Sequence, residues 1–102
     1  MDMSNLMAQA QQMQERMQQT QAALGDKSVE AESGGGLVKV TFNGRQELTG
    51  LSIQPGAVNP DDIEMLEDLI LAAMEAGHRK AGELAKAEMG EVTGGLNIPG
   101  LF

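Results

Sequence analysis

Along the first quarter of the chain, apolar or small residues fall at Met3, Leu6, Ala10, Met13, Met17, Thr20 and Leu24, with Gln, Glu and Arg between them. Spacings of three and four in strict alternation make a heptad seam, so a helix is predicted from Ser4 to Leu24. Ser4 is placed to cap its start and Gly25 to end it. At ~1.5 Å per residue such a helix is roughly 30 Å long, against a radius of gyration of ~13 Å for a compact domain of this size. It must project or lie against a partner. Methionine at helical spacing usually packs, so the stripe reads as a core or dimer seam rather than a ligand groove.

The period then changes to two. Lys27 to Ser33 alternates apolar and polar residues, Gly34-Gly35-Gly36 interrupts, and Leu37 to Phe42 alternates again before Asn43-Gly44. This is the pattern of a small antiparallel sheet. A two-residue turn at Gly34-Gly35 would set Ala31 opposite Val38, Val29 opposite Val40 and Glu30 opposite Lys39. At the second reversal a two-residue turn would mix the faces. A loop of three or more residues from Asn43 to Arg45, with Gly44 at positive φ, instead sets Val40 opposite Leu48. Leu48 conflicts in parity with Leu51 and Ile53, and Gly50 between them marks a bulge. A phosphate-cradling role for the triple glycine is improbable, because neither a Lys-Ser/Thr pair nor a helix start follows it.

A second long helix is announced by Asn59-Pro60-Asp61-Asp62, which combines an N-cap residue, proline at the first helical position and acids at the positive end of the helix dipole. Its buried stripe is Ile63, Leu66, Ile70, Ala73, Gly77, Ala81 and Leu84, continuing toward Met89 over roughly 40 Å. Glycine in mid-helix costs about 1 kcal/mol relative to alanine, so Gly77 calls for a packing reason. The chain thus divides into one domain over residues 1–90 and a Gly- and Pro-containing tail over 91–102, expected to be mobile, whose Leu96, Ile98, Leu101 and Phe102 are more often frayed than docked.

Composition narrows what this scaffold can do. The 102 residues contain eight Met but only two Phe, no Trp and no Tyr, so the core is thin and adaptable, and a second copy would help it. Seven Lys and Arg against fifteen Asp and Glu give a formal charge of −8. Bulk electrostatics therefore argue against coating nucleic acid, and any such role needs a local basic patch. The absence of Cys excludes disulfides, thiolate metal sites and cysteine nucleophiles. The N-terminus lacks the basic start and apolar core of a signal peptide, and no apolar run approaches ~20 residues, so a soluble, cytoplasmic protein is expected.

Catalysis needs titratable or nucleophilic groups brought together, and the lone His78, scattered Ser and Thr, and surface acids form no such constellation. Asp61, Asp62 and Glu64 are explained by the helix dipole before magnesium is invoked. No enzyme activity, metal, cofactor or small-molecule substrate is expected. Charge along the second helix is segregated, acids from Asp61 to Glu75 first and His78, Arg79, Lys80 and Lys86 later. Dipole complementarity accounts for that order, yet it leaves His78-Arg79-Lys80 as the chain's basic cluster.

Four blocks, in order, resemble the YbaB/EbfC family of bacterial nucleoid-associated proteins: Met7 to Met17, rich in Gln and Met; Gly36-Leu37-Val38-Lys39-Val40-Thr41-Phe42-Asn43-Gly44; Asp62 to Ile70; and the Gly/Pro-rich end. The resemblance spans nearly the whole chain. It implies an α+β fold of helix, three-stranded antiparallel sheet and long helix (αβββα), paired into a homodimer whose helices project like tweezers. It further implies binding of double-stranded DNA with limited sequence preference, at the nucleoid. By position, the family's basic helical residues fall on Arg16 and on Arg79, Lys80 and Lys86, beside His78. Relatives often carry several Lys in the first helix, where this chain mostly has Gln and Ala.

Two functional readings follow. In the first, a homodimeric architectural protein contacts the DNA backbone through the basic parts of its helices, helping to organise DNA or influence gene expression. In the second, the acidic surface and Met-lined helix make the chain a protein-binding adaptor that works with DNA-processing proteins.

Overall fold

A computed structural model of the chain describes residues 2–92. The elements run α1 (Met3–Leu24), β1 (Ser28–Ser33), β2 (Val38–Asn43), β3 (Leu48–Ile53), a 3-10 turn (Pro55–Ala57) and α2 (Ile63–Val92). The αβββα order is the one the hydrophobic periods predict, and the strands form one antiparallel sheet in the order β1-β2-β3. Of the expected tail over 91–102, Glu91 and Val92 belong to the last turn of α2, with Val92 buried, and the rest lies outside the described residues.

Both helix starts differ from expectation by a cap. Asp2, not Ser4, caps α1, its side chain accepting from the Ser4 N–H at 3.1 Å. Asn59 organises a turn, accepting from Asp61 N–H at 3.0 Å, and α2 begins only at Ile63, where Asp62 accepts from Met65 N–H at 3.2 Å. Pro60 therefore shapes the approach to the helix rather than its first turn.

Both hairpins are looser than two-residue turns. Ala31 pairs with Val40, Val29 with Phe42 and Glu32 with Lys39, so the β1–β2 register is two residues away from the expected one. A shift of two preserves the faces, which is why the apolar side still collects on one surface. Gly34, Gly35 and Gly36 all sit at positive φ (63°, 68° and 98°), a succession only glycine adopts without strain. Opposite-charge pairing survives as Lys39–Glu32 at 4.0 Å.

At the second reversal Val40 faces Leu51, Val38 faces Ile53 and Phe42 faces Leu48, with the register shifting between Thr41 and Phe42. The extra residue is Thr49, one before the expected Gly50, and it does bring Leu48 into phase with Leu51 and Ile53. The positive φ belongs to Gln46 (65°) and not to Gly44. Gly44 serves a different need: a Cβ there would lie 2.7 Å from the Leu24 carbonyl oxygen, where the end of α1 presses on the loop.

The sheet is covered on one face. Val38, Val40 and Phe42 of β2 and Ala31 of β1 are buried beneath α2, whose Ala73 and Ala81 are fully enclosed. Gly77 lies between them, and a Cβ there would come within 2.7 Å of the Phe42 ring and 2.9 Å of Val40. This is the packing reason that a mid-helix glycine demands. On the opposite face Glu30, Glu32, Lys39 and Ser52 meet solvent.

Beyond the sheet, the second half of α2 meets the end of α1. Leu24, Met89 and Val92 are buried there, Met17 and Thr20 half-buried, and Lys27 pairs with Glu88. The seam's first half, with Met3, Leu6 and Met13, is exposed, as is the neighbouring Met7. With helices of 22 and 30 residues, the molecule extends 70 × 24 × 16 Å and has a radius of gyration of 19.1 Å, well above the ~13 Å of a compact domain.

Helix propensity alone would make Gly77→Ala stabilising by about 1 kcal/mol. Overpacking against Phe42 and Val40 reverses the sign, for an expected net loss of about 1–3 kcal/mol in chemical denaturation. A variant more stable than wild type would contradict the close approach of α2 to the sheet.

Candidate nucleic-acid interface

Consecutive residues on a helix point about 100° apart, so His78, Arg79 and Lys80 cannot share a face. The structure sends each to a different place. His78 lies on the β3 side of α2, its ring edge-on to Phe42 with centroids 5.9 Å apart and planes at 75°, and its carbonyl accepts from Gln46 Nε2 at 3.4 Å. Lys80 turns toward β1, where Nζ donates to the Glu30 carbonyl at 2.9 Å. Arg79 points outward between them. The cluster that looks contiguous in sequence is therefore three separate positions.

A different grouping appears instead. Arg79 and Lys86 are seven residues apart, two helical turns, and so lie in line on the outer face of α2, about 10 Å from one another along the axis. Both are exposed, and neither has an ion pair among the described residues. Arg16, exposed beside the seam residue Met17 of α1, is likewise without an ion pair among them. The remaining cations are engaged: Lys27 with Glu88, Lys39 with Glu32, and Arg45 with Glu47 at a long 3.9 Å.

The charges along α2 are only partly segregated. Asp61, Asp62, Glu64, Glu67 and Asp68 crowd the start of α2, at the end of the helix that the dipole makes positive. Arg79 and Lys86 lie more than two turns further along, on the part of α2 that passes over and beyond the sheet. On that half Arg79 and Lys86 share the outer face with Glu75 and Glu83, exposed one turn to either side of Arg79.

Among the described residues no group of three or more His, Asp or Glu is arranged to hold a metal ion, and no helix is long and apolar enough to cross a membrane. The acids at the start of α2 are accounted for by capping and by the helix dipole.

Beside the basic stripe lies a second surface. Leu48, Leu51 and Ile53 are on the same face of the sheet as Val38, Val40 and Phe42, yet they are 44%, 50% and 37% exposed, because α2 covers β1 and β2 and leaves β3 bare. Leu71, two turns before His78 and thus on the β3 side of the helix, is 59% exposed. Together they form an apolar strip along an edge strand.

The fold is αβββα, with Arg79 and Lys86 exposed on the outer face of its long helix. The chain belongs to the YbaB/EbfC DNA-binding family, whose sequence profile matches residues 1–96. It is 52% identical to a nucleoid-associated protein of Alkaliphilus metalliredigens, over 99% of this chain and 89% of that one. A nucleoid-associated protein of Thermoanaerobacter pseudethanolicus is also 52% identical, over 99% of this chain and 91% of the relative. In shape the chain resembles the crystal structure of an uncharacterized protein from Helicobacter pylori, with a TM-score of 0.77 and 30% identity over 85% of this chain and 91% of that one.

Proposed function

We propose that the chain is a non-enzymatic, homodimeric architectural protein of the bacterial nucleoid that grips double-stranded DNA by its backbone, with limited sequence preference, and through this organises DNA and influences gene expression. The observation that carries the reading is the pair Arg79 and Lys86, without ion pairs among the described residues and aligned on the outer face of a helix that projects past the sheet. Arg16 extends the set on α1, with His78 and Lys80 on the flanks of α2. Charges that contact phosphate without reaching base edges fix position and carry no sequence information. Family membership and the names of the relatives support the same reading.

The apolar strip of Leu48, Leu51, Ile53 and Leu71 supports the dimer. An edge strand with large exposed apolar side chains is an aggregation hazard unless something covers it, and a second copy related by a two-fold axis covers both strips at once. Dimerisation also doubles the number of Arg79–Lys86 pairs that one assembly presents.

The bare first half of the α1 seam favours one alternative, a protein-binding adaptor that docks a partner on Met3, Leu6, Met7 and Met13. A partner recovered equally from nuclease-treated and untreated lysate supports the adaptor.

Titration of labelled duplex at several salt concentrations tests the DNA reading: log K is expected to fall linearly with log salt. Arg79→Ala with Lys86→Ala should weaken binding to all sequences alike and flatten the slope by about 0.9 for each phosphate that is no longer neutralised. Lys80→Ala, whose ammonium is already committed to a carbonyl, should cost less. A wild-type chain that ignores duplex at low salt would remove the proposal. Separately, light scattering should return twice the 10.8 kDa chain mass, and Leu51→Lys should return the single mass. A wild-type monomer would overturn the homodimer.

A further inference from the structure

The β2–β3 loop is stapled to both helices. The Gly44 N–H donates to the Leu24 carbonyl at 2.8 Å and the Lys27 carbonyl at 3.0 Å, fixing the loop to the end of α1. Asn43 Oδ1 accepts from the N–H groups of Arg45 and Glu47, at 2.9 and 3.1 Å. Gln46 holds a left-handed φ of 65° that a glycine would occupy more cheaply, and its amide reaches the His78 carbonyl while resting over Gly82. A residue kept in that conformation with its side chain anchored fixes the direction of its neighbour.

That neighbour is Arg45. Its side chain is 51% exposed and lines a cleft of about 290 Å³ between the end of α1, the loop and α2. A second cleft of about 350 Å³ opens beside it and is lined by Lys86; the two share Gln46, Ala85 and Met89. Glu47 is the carboxylate in this groove. It accepts from Asn43 Nδ2 at 2.8 Å and stands 3.9 Å from Arg45 Nε, a long exposed pair of the kind that contributes little. The guanidinium thus has donors to spare, and a planar fork of N–H groups suits a phosphate.

We propose that Arg45 is a DNA-phosphate contact which, with Lys86 across the shared groove, forms one anion-binding cleft at the root of the two helices. The inference rests on the DNA reading above and adds to it a loop residue outside the helical set. Because loop, α1 and α2 are tied together here, the cleft places a phosphate at a fixed position relative to the Arg79–Lys86 stripe.

The test uses the full chain and labelled duplex across a salt series, with Lys39→Ala as the control that removes one positive charge from the open face of the sheet. Arg45→Ala is expected to weaken binding roughly three- to tenfold and to lower the salt slope by about 0.9 for each arginine removed, with mass and thermal melt unchanged. Lys39→Ala should do neither, and Arg45→Lys should recover most of the slope. If wild type binds and Arg45→Ala behaves like Lys39→Ala, the cleft is overturned and the DNA reading stands. If wild type binds no duplex at low salt, the DNA reading falls and takes the cleft with it.

Discussion

The distance between α2 and the sheet governs this molecule. Ala73, Gly77 and Ala81 let the helix backbone settle directly on Phe42 and Val40, and a single methyl group at Gly77 would collide with the ring. Van der Waals contact at that range is steep, so the helix has one place to lie. Lying there, it buries β1 and β2, leaves β3 bare, and carries its later turns past the sheet to the end of α1. The apolar strip, the outward cations and the groove beside Arg45 are consequences of that single seating.

The same seating bears on how an acidic chain meets an anionic partner. A formal charge of −8 spread evenly would repel a phosphate backbone. Five acids lie where α2 begins, where the helix dipole favours them, and Arg79 and Lys86 sit further along, exposed, with Glu75 and Glu83 beside them on the outer face. A protein contacts a polyanion with one face, and the potential of that face decides the encounter. The glutamine-rich first helix has a lone arginine, so in the proposed backbone grip α2 and the β2–β3 loop would supply most of the charge.

Much of this is legible in the chain. Spacings of three and four locate both helices, period two locates the strands, and the parity of Val29, Ala31, Val38 and Val40 finds the buried face even though the expected register is two residues out. Faces survive such an error because side chains alternate, whereas the turn length that sets register depends on how many of Gly34, Gly35 and Gly36 adopt positive φ, which composition alone does not reveal. The packing role of Gly77 follows from its cost in a helix. The role of Gly44 does not, since it depends on Leu24 arriving from another element. His78, Arg79 and Lys80 look like one patch only while adjacency in sequence stands for adjacency in space, which the 100° step of a helix rules out. Arg45 gives no signal of its own. Its position is fixed by the left-handed Gln46 next to it, and glutamine at that position is not a pattern that marks a turn.

The most direct test of where this protein meets DNA is to add duplex to isotopically labelled chain at low salt and follow every backbone amide by NMR. Shifts are predicted to concentrate along the outer face of α2 around Arg79 and Lys86 and on the Arg45–Gln46 segment, with Lys39 and the start of α2 from Asp61 to Asp68 undisturbed. Perturbations confined to the open face of the sheet or to that acidic start would contradict the account.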